Sequence, residues 1–144
     1  MNASIHDLMV PQVMTATASQ TVQHIRDVMR EHNVHALPVV DAEHQPVGIV
    51  SATDLLNGAA DGAPVSSIMS RKVYTVPQYS GPHIAARMMR NHHIHHLVVT
   101  HEQKVVGILS SYDLLRLVED HRFVMKNAPS DSKKKGARGK VEFS

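Results

Sequence analysis

The stretch GIVSATDLL at residues 48–56 returns as GILSSYDLL at residues 107–115. Each copy places a glycine and two apolar, β-forming residues before a serine, and an aspartate followed by two leucines after it. This pattern predicts a buried strand that leads into a helix, with polar residues at the junction. Its repetition predicts a chain built from two like units.

The match between the two copies continues upstream. NVHALPVVD at 33–41 corresponds to HIHHLVVTH at 93–101, and VQHIRDVMREH at 22–32 corresponds to PHIAARMMRNH at 82–92. The stretches at 33–41 and 93–101 are short and rich in apolar residues, as buried strands are. The stretches at 22–32 and 82–92 have their apolar residues at helical spacing. Each unit therefore reads strand–helix–strand–strand–helix.

The ends of the repeats are set by weaker signals. We align Val13-Met14-Thr15 with Ile68-Met69-Ser70, which leaves the first copy five residues shorter before its helix. The second helix of the first copy is expected to start at Leu55, with Gly58 near its end. The predicted boundaries are 8–60 for repeat 1 and 61–123 for repeat 2.

The composition limits the interior and its chemistry. Apolar residues make up 42% of the chain, but aromatic residues only 3%, and there is no cysteine. Disulfides, thiolate metal sites and cysteine nucleophiles are therefore excluded. Apolar positions at helical spacing, such as Val22, Ile25, Val28 and Met29, are expected in the core. Neither unit has much core alone, so the two should pack against each other. The Met88-Met89 pair fits a core or interface role.

The charge is unevenly distributed. Residues 126–144 contain six Lys or Arg and two acidic residues, whereas residues 1–125 carry a net charge of −2. We expect 126–144 to be a disordered basic tail. The N-terminus does not have the pattern of a signal peptide, and no apolar run is long enough to span a membrane. The expected location is the cytoplasm, without membrane association.

Ser51, Thr53 and Asp54 lie at the predicted strand-to-helix junction. Free backbone N–H groups at such a junction favour anions, and hydroxyls add hydrogen bonds to phosphate. A carboxylate suits the paired hydroxyls of a ribose. The alternative is that Thr53 or Asp54 simply caps the helix. The two interpretations are compatible, because a cap also orients the junction.

The run NHHIHH at 91–96 raises the possibility of a metal site. His92 and His96 share a face if the run is helical, and His93 and His95 share one if it is extended. The run spans a predicted helix end and strand start, so the rings should not converge. We predict no metal site here and instead a response to pH near neutrality.

The repeated motifs resemble the cystathionine-β-synthase (CBS) domain, which occurs as a tandem pair called the Bateman module. The resemblance covers about residues 8–120: the Met-Thr start, the L-P-V-V-D strand and the Gly…Ser-x-x-Asp-Leu-Leu ending appear in order. It implies an α/β (α+β) fold of two β-α-β-β-α repeats related by a pseudo-two-fold axis. It also implies a homodimer that forms a disc of four repeats.

The resemblance also implies a ligand site. In nucleotide-binding CBS pairs the aspartate of the repeated motif holds the ribose and the preceding residue contacts phosphate, while residues before the L-P-V-V strand face the phosphates. The chain departs from that pattern at Tyr112, whose ring takes the space of a small hydroxyl, and at Ala36, where a second cation is absent. The implied adenine-nucleotide positions are Thr15, Thr17, His35, Ala36, Ser51, Thr53, Asp54, Val73, Tyr74, His95, His96, Ser110, Tyr112 and Asp113.

The leading hypothesis is a regulatory module, not an enzyme, because no catalytic constellation is present. It would bind an adenine nucleotide (AMP, ADP or ATP) between its repeats, need no obligatory cofactor, and signal to an unknown protein partner in trans. The main alternative is a ligand-silent module whose function is dimerisation or protein interaction. A third interpretation is a nucleic-acid-associated module that uses the tail; deleting residues 126–144 would test it.

Overall fold

The computed structural model describes residues 3–11 and 14–121, so the predicted tail at 126–144 lies outside the described residues. All strands belong to the compact unit that runs through Leu114. Among the described residues, no helix has the length and apolar character needed to cross a membrane.

Two like α+β repeats follow a short N-terminal segment. That segment contains helix α1 (Ile5–Leu8) and strand β1 (Val10–Pro11). The first repeat consists of β2 (Ala16–Thr17), α2 (Val22–His32), β3 (Ala36–Val40), β4 (Pro46–Ser51) and a 3-10 turn (Asp54–Leu56). After a second 3-10 turn (Val65–Ser67), the second repeat consists of β5 (Thr75–Pro77), α3 (Pro82–His92), β6 (His96–His101), β7 (Lys104–Ser110) and α4 (Ser111–His121).

The strands form two sheets with the same connectivity. In the three-stranded sheet the order is β2-β3-β4, and in the four-stranded sheet it is β1-β7-β6-β5. The first strand of each repeat runs parallel to the second, which is antiparallel to the third. Leu37 pairs with Val50 in one sheet, and Leu97 pairs with Leu109 in the other. The predicted α+β fold of two like repeats is confirmed.

The helices cover these sheets with their apolar faces. Helix α2 begins after Thr21, whose Oγ1 accepts a hydrogen bond of 3.1 Å from the His24 amide, and it buries Val22, Ile25 and Met29. It ends at His32, and Asn33 directly after it adopts a left-handed conformation with φ of 52°. Helix α3 ends in the same way at His92, followed by His93 with φ of 55°. Asn and His tolerate this conformation better than β-branched residues do.

The two repeats share part of their core. Val40 of the first repeat packs with Val98 and Val105 of the second, and all three side chains are buried. The Val105 amide also donates a hydrogen bond of 3.0 Å to the carbonyl of His44. The expected packing of one repeat against the other is therefore present.

The predicted helix from Leu55 is wrong. The chain makes only the 3-10 turn Asp54–Leu56, and Gly58 follows with φ of +80°. Gly58, Gly62 and Pro64 lie within a few residues of one another, and these residue types interrupt a helix. The corresponding segment of the second repeat has no such residues and forms helix α4.

The predicted alignment of Val13-Met14-Thr15 with Ile68-Met69-Ser70 is also wrong; of these residues, Val13 is not described. A Cβ on Gly48 would lie 2.6 Å from the Met69 sulfur, and a Cβ on Gly107 would lie 2.6 Å from the Met9 sulfur. Met9 is therefore the counterpart of Met69. With this register the two copies have equal spacing before their helices, so no shortening exists.

Candidate functional site

A cavity of about 710 Å³ lies where the two repeats meet. The first repeat contributes the residues before β3, the end of β4 and the junction that follows it. The second repeat contributes the segment before β5 and the connection from α3 to β6. The lining residues are His35, Ile49, Ser51, Ala52, Thr53, Asp54, Ser70, Lys72, Tyr74, His92, Ile94, His95 and His96.

Asp54 is fixed at the cavity by the end of strand β4. Its Oδ2 accepts hydrogen bonds from the Ser51 amide (2.8 Å) and the Ser51 hydroxyl (3.1 Å). The second repeat repeats this geometry, since the Ser110 amide donates to Oδ2 of Asp113 at 2.8 Å. In return, the amides of Asp54 and Asp113 donate to the Ser51 and Ser110 hydroxyls at 3.4 and 3.1 Å. These reciprocal bonds form a capping box in which the aspartate stands where Glu or Gln is usual.

The capping interpretation is thus correct for Asp54 but wrong for Thr53. Ser51 is the capping hydroxyl, and Thr53 makes no side-chain capping bond. Thr53 is exposed and lines the cavity, and its hydroxyl does not cap the turn. Both hydrogen bonds that Ser51 donates to Asp54 end on Oδ2, and Asp54 is also a lining residue of the cavity.

One wall of the cavity is aromatic and aliphatic. The rings of Tyr74 and His92 stack with centroids 4.2 Å apart and planes inclined by 24°. Ile49 and Ser70 hold the neighbouring backbone together through two N–H···O bonds of 2.9 Å. Such a wall offers a flat face and apolar contacts to a planar ligand.

Imidazoles gather on the side of the cavity formed by β6. His35 and His95 are exposed, and His96 is half-buried. Burial lowers the pKa of His96, and the neighbouring His95 and His35 lower it further, while Asp113 acts in the opposite direction. The surroundings of His96 therefore favour the neutral form of its ring. The His95 ring also lies 3.5 Å from the Ser111 hydroxyl.

Half of the predicted site residues line this cavity: His35, Ser51, Thr53, Asp54, Tyr74, His95 and His96. Thr15, Thr17, Ala36, Val73, Ser110, Tyr112 and Asp113 are not among its lining residues. Ala36 is buried in β3, Val73 packs beside the core shared by the repeats, and Tyr112 is 78% exposed.

Lining residues that sequence reasoning missed are Ile49, Ala52, Ser70, Lys72, His92 and Ile94. Ala52 and Ile94 lie next to predicted residues and follow once the strand ends are known. Lys72 differs, because it belongs to the connection between the repeats, where the predicted register was wrong. The correct register places this connection before β5 and would have identified it.

The histidine run does not form the regular patterns considered for a metal site. Helix α3 ends at His92, His93 adopts the left-handed conformation, and β6 starts at His96. Over residues 3–11 and 14–121, no group of three or more His, Asp or Glu side chains is placed to hold a metal ion.

A family model for the CBS domain matches residues 5–61 and, a second time, residues 65–120. This chain belongs to the CBS-domain family, as a tandem pair. The CBS domain-containing protein YhcV of Bacillus subtilis (strain 168) is 32% identical over 117 residues, which cover 78% of this chain and 83% of that protein. The predicted family is confirmed.

Two further similarities extend this assignment. The CBS domain pair of protein MJ0100, solved with 5′-methylthioadenosine and S-adenosyl-L-methionine, superposes with a TM-score of 0.78 at 25% identity; the match covers 85% of this chain and all of that one (100%). The homoserine O-acetyltransferase of Methanosphaera stadtmanae is 29% identical over 119 residues, which are 81% of this chain but 24% of that enzyme. CBS pairs thus occur both alone and as parts of longer proteins.

Proposed function

We propose that this chain is a regulatory module that binds an adenine nucleotide in the cavity beside Asp54. The observation on which the proposal depends is the meeting of three chemical surfaces in one cavity. Asp54 supplies a carboxylate oxygen, the Tyr74–His92 stack supplies a flat aromatic face, Lys72 supplies a cationic group, and the imidazoles supply ring nitrogens that can donate hydrogen bonds. A nucleotide has a matching ribose, base and phosphate.

The position of Asp54 favours the ribose as its partner. A carboxylate oxygen accepts hydrogen bonds from paired hydroxyls, whereas it repels a phosphate. The capping bonds from Ser51 hold this carboxylate in one orientation before a ligand arrives. Preorganisation of this kind reduces the entropy lost on binding.

The volume and lining support a ligand of nucleotide size. A cavity of about 710 Å³ falls within the range of roughly 300–1,000 Å³ that is usual for small-molecule sites. Ile49 and Ile94 add apolar contacts near the aromatic wall. The CBS pair of MJ0100, at 25% identity, was solved with two adenosine-containing ligands, which supports the adenosine class for this chain as well.

The output of the module is proposed to be regulatory rather than catalytic. Ligand binding between the repeats would change their geometry and so alter contacts with a protein partner in trans. We also propose a homodimer, which the resemblance to CBS pairs implies; Leu56 and Tyr112, exposed at 82% and 78%, are candidates for its interface. Analytical ultracentrifugation of the full chain tests the dimer.

The function is tested by thermal unfolding of nucleotide-free protein with ~1 mM AMP, ADP or ATP. At a ligand concentration about 100 times Kd, binding stabilises the fold by roughly 2.7 kcal/mol. For a domain of this size, we expect the Tm to rise on the order of 5–10 °C. If no adenine nucleotide shifts the Tm, the proposal is wrong and the ligand-silent alternative is favoured.

A further inference from the structure

Lys72 is a cation of the cavity, and among the described residues it has no ionic partner. Its side chain lines the cavity, and the structure, over the part of the chain it describes, contains no salt bridge or side-chain hydrogen bond of its ammonium group. Asp54 lines the same cavity but is engaged by Ser51 instead. A lysine in a concave site without a carboxylate partner is suited to an anionic ligand.

Four imidazoles add groups that can take up a proton. His35, His92, His95 and His96 all line the cavity. The lowered pKa of His96 favours its neutral ring, whereas an anion placed beside the ring would favour the protonated form. The groups that act on His96 or line its side of the cavity are His35, Asp54, Lys72, Tyr74, His92, His95 and Asp113.

We propose that this cavity selects phosphorylated nucleotides over unphosphorylated adenosine derivatives, with Lys72 as the specificity-determining residue and the imidazole cluster taking up a proton when phosphate binds. The inference rests on the proposed function and names the ligand class. It also separates this chain from the pair in MJ0100, whose ligands in that structure, 5′-methylthioadenosine and S-adenosyl-L-methionine, have no phosphate.

The placement of charge fixes the direction of the ligand. Asp54 repels a phosphate, so the phosphate belongs on the side of Lys72 and the imidazoles, and the ribose belongs beside the carboxylate. A phosphate monoester carries close to two negative charges at neutral pH and three acceptor oxygens. Adenosine has no phosphate, so it would neither contact the Lys72 ammonium group nor favour protonation of the imidazoles.

The selectivity is tested by isothermal titration of the full chain with AMP, adenosine and ribose 5-phosphate. Because charged hydrogen bonds are the strong ones, we expect AMP to bind at least about tenfold more tightly than adenosine. Lys72→Met should lower the AMP affinity about tenfold and leave that of adenosine unchanged, and Lys72→Arg should retain the preference. Arg71→Met is the matched control, since Arg71 is exposed and does not line the cavity.

The proton uptake is tested by titrating AMP near pH 6.5 and near pH 8 in buffers of different ionisation enthalpy. AMP should bind more tightly at the lower pH and take up protons, and adenosine should do neither. The second pKa of the phosphate, about 6, acts in the opposite direction, so tighter binding at low pH must come from the protein. His95→Asn, alone and combined with His96→Asn, should reduce the effect, whereas His24→Asn, on the exposed face of α2, should not.

The outcomes distinguish this inference from the function on which it rests. Equal affinity for AMP and adenosine, or an equal loss of both in Lys72→Met, overturns the selectivity while leaving a nucleoside sensor. AMP binding without proton uptake overturns the role of the imidazoles. If none of the adenosine compounds binds, the proposed function itself is overturned, together with this inference.

Discussion

The backbone amide of Ser51 donates a 2.8 Å hydrogen bond to Oδ2 of Asp54, so one carboxylate oxygen is occupied by the protein. The second repeat has the same bond between Ser110 and Asp113, also at 2.8 Å. The repeated aspartate thus has a structural role in both repeats, whatever it binds. Only Asp54 also lines the cavity. The two aspartates therefore allow the structural role to be separated from the binding role.

Asp54→Ala and Asp113→Ala should have similar effects on stability and different effects on binding. Each removes one half of a capping box, which costs about 1 kcal/mol. We expect only Asp54→Ala to abolish the rise in Tm that AMP produces. The measurement is thermal unfolding of each variant with and without AMP. Loss of the shift in Asp113→Ala, with retention in Asp54→Ala, would place the ligand in the other repeat.

Gly48→Ala should be tolerated better than Gly107→Ala. At Gly48 the three atoms nearest to a new Cβ all belong to the flexible side chain of Met69, with the sulfur at 2.6 Å. At Gly107 it would meet the Met9 sulfur at 2.6 Å and also the backbone carbonyl of Val10 at 2.8 Å. Overpacking of this kind costs typically 1–3 kcal/mol, and a backbone atom can yield less than a side chain.

Urea unfolding of both glycine variants measures this difference. Met69→Ala in the Gly48→Ala background provides the control. Without the Met69 sulfur, the added methyl group should lower the free energy of unfolding by less. Equal destabilisation of the two single variants, or no relief in the double variant, would contradict the role assigned to the methionines.

Because of His96, the free energy of unfolding should be smaller in mild acid than at neutral pH. In the folded state, burial and the neighbouring imidazoles hold its pKa below the ordinary value of 6.5. As pH falls through 6.5, the unfolded chain takes up a proton that the folded chain does not, so the free energy of unfolding decreases until the folded pKa is reached. His96→Gln should flatten this part of the pH profile.

The measurement is urea unfolding between about pH 7.5 and about pH 5, without nucleotide. His24→Gln is the control, since His24 is exposed on α2. A His96→Gln variant whose stability declines with pH as steeply as the parent chain would show that other groups are responsible.

Hydrophobic spacing predicted the long elements well. The helices assigned at 22–32 and 82–92 begin and end at those residues, because each has an apolar face and a left-handed residue directly after it. The strand pairs around the repeated motif were also found, since they are continuous apolar runs bounded by turn residues. These elements are determined by local patterns, which can be identified in a single sequence without knowledge of the fold.

One error came from local helix-breaking residues that were given too little weight, and the others arose where tertiary contacts decide. The two leucines after Asp54 suggested a helix by analogy with the second repeat, but Gly58 and Gly62 prevent it. Met14 looked like the partner of Met69, whereas only packing against Gly107 identifies Met9. Lys72 is in a connection without periodicity, and its place in the cavity depends on the fold of both repeats.

The cavity beside Asp54 should bind one nucleotide per chain. The corrected register allows the opposite cleft to be compared position by position: Tyr112 replaces Thr53, Val10 replaces Ser70 and Met14 replaces Tyr74. Two of these changes exchange a polar or aromatic contact for an aliphatic side chain, and Val10 and Met14 are both exposed, at 47% and 38%. The opposite cleft thus lacks counterparts of the Thr53 and Ser70 hydroxyls and of the Tyr74 ring, which the nucleotide would use.

Isothermal titration with AMP should therefore give a stoichiometry of one ligand per chain, and Asp54→Ala should reduce it to none. Tyr112→Thr is the informative control. It restores the small hydroxyl of the opposite cleft but neither Ser70 nor the Tyr74 ring, so the stoichiometry should stay at one. Two ligands bound by the parent chain would mean that the aliphatic side chains of the second cleft support binding as well. In that case, Asp113→Ala would leave a single site, and the asymmetry between the repeats would have no role in ligand binding.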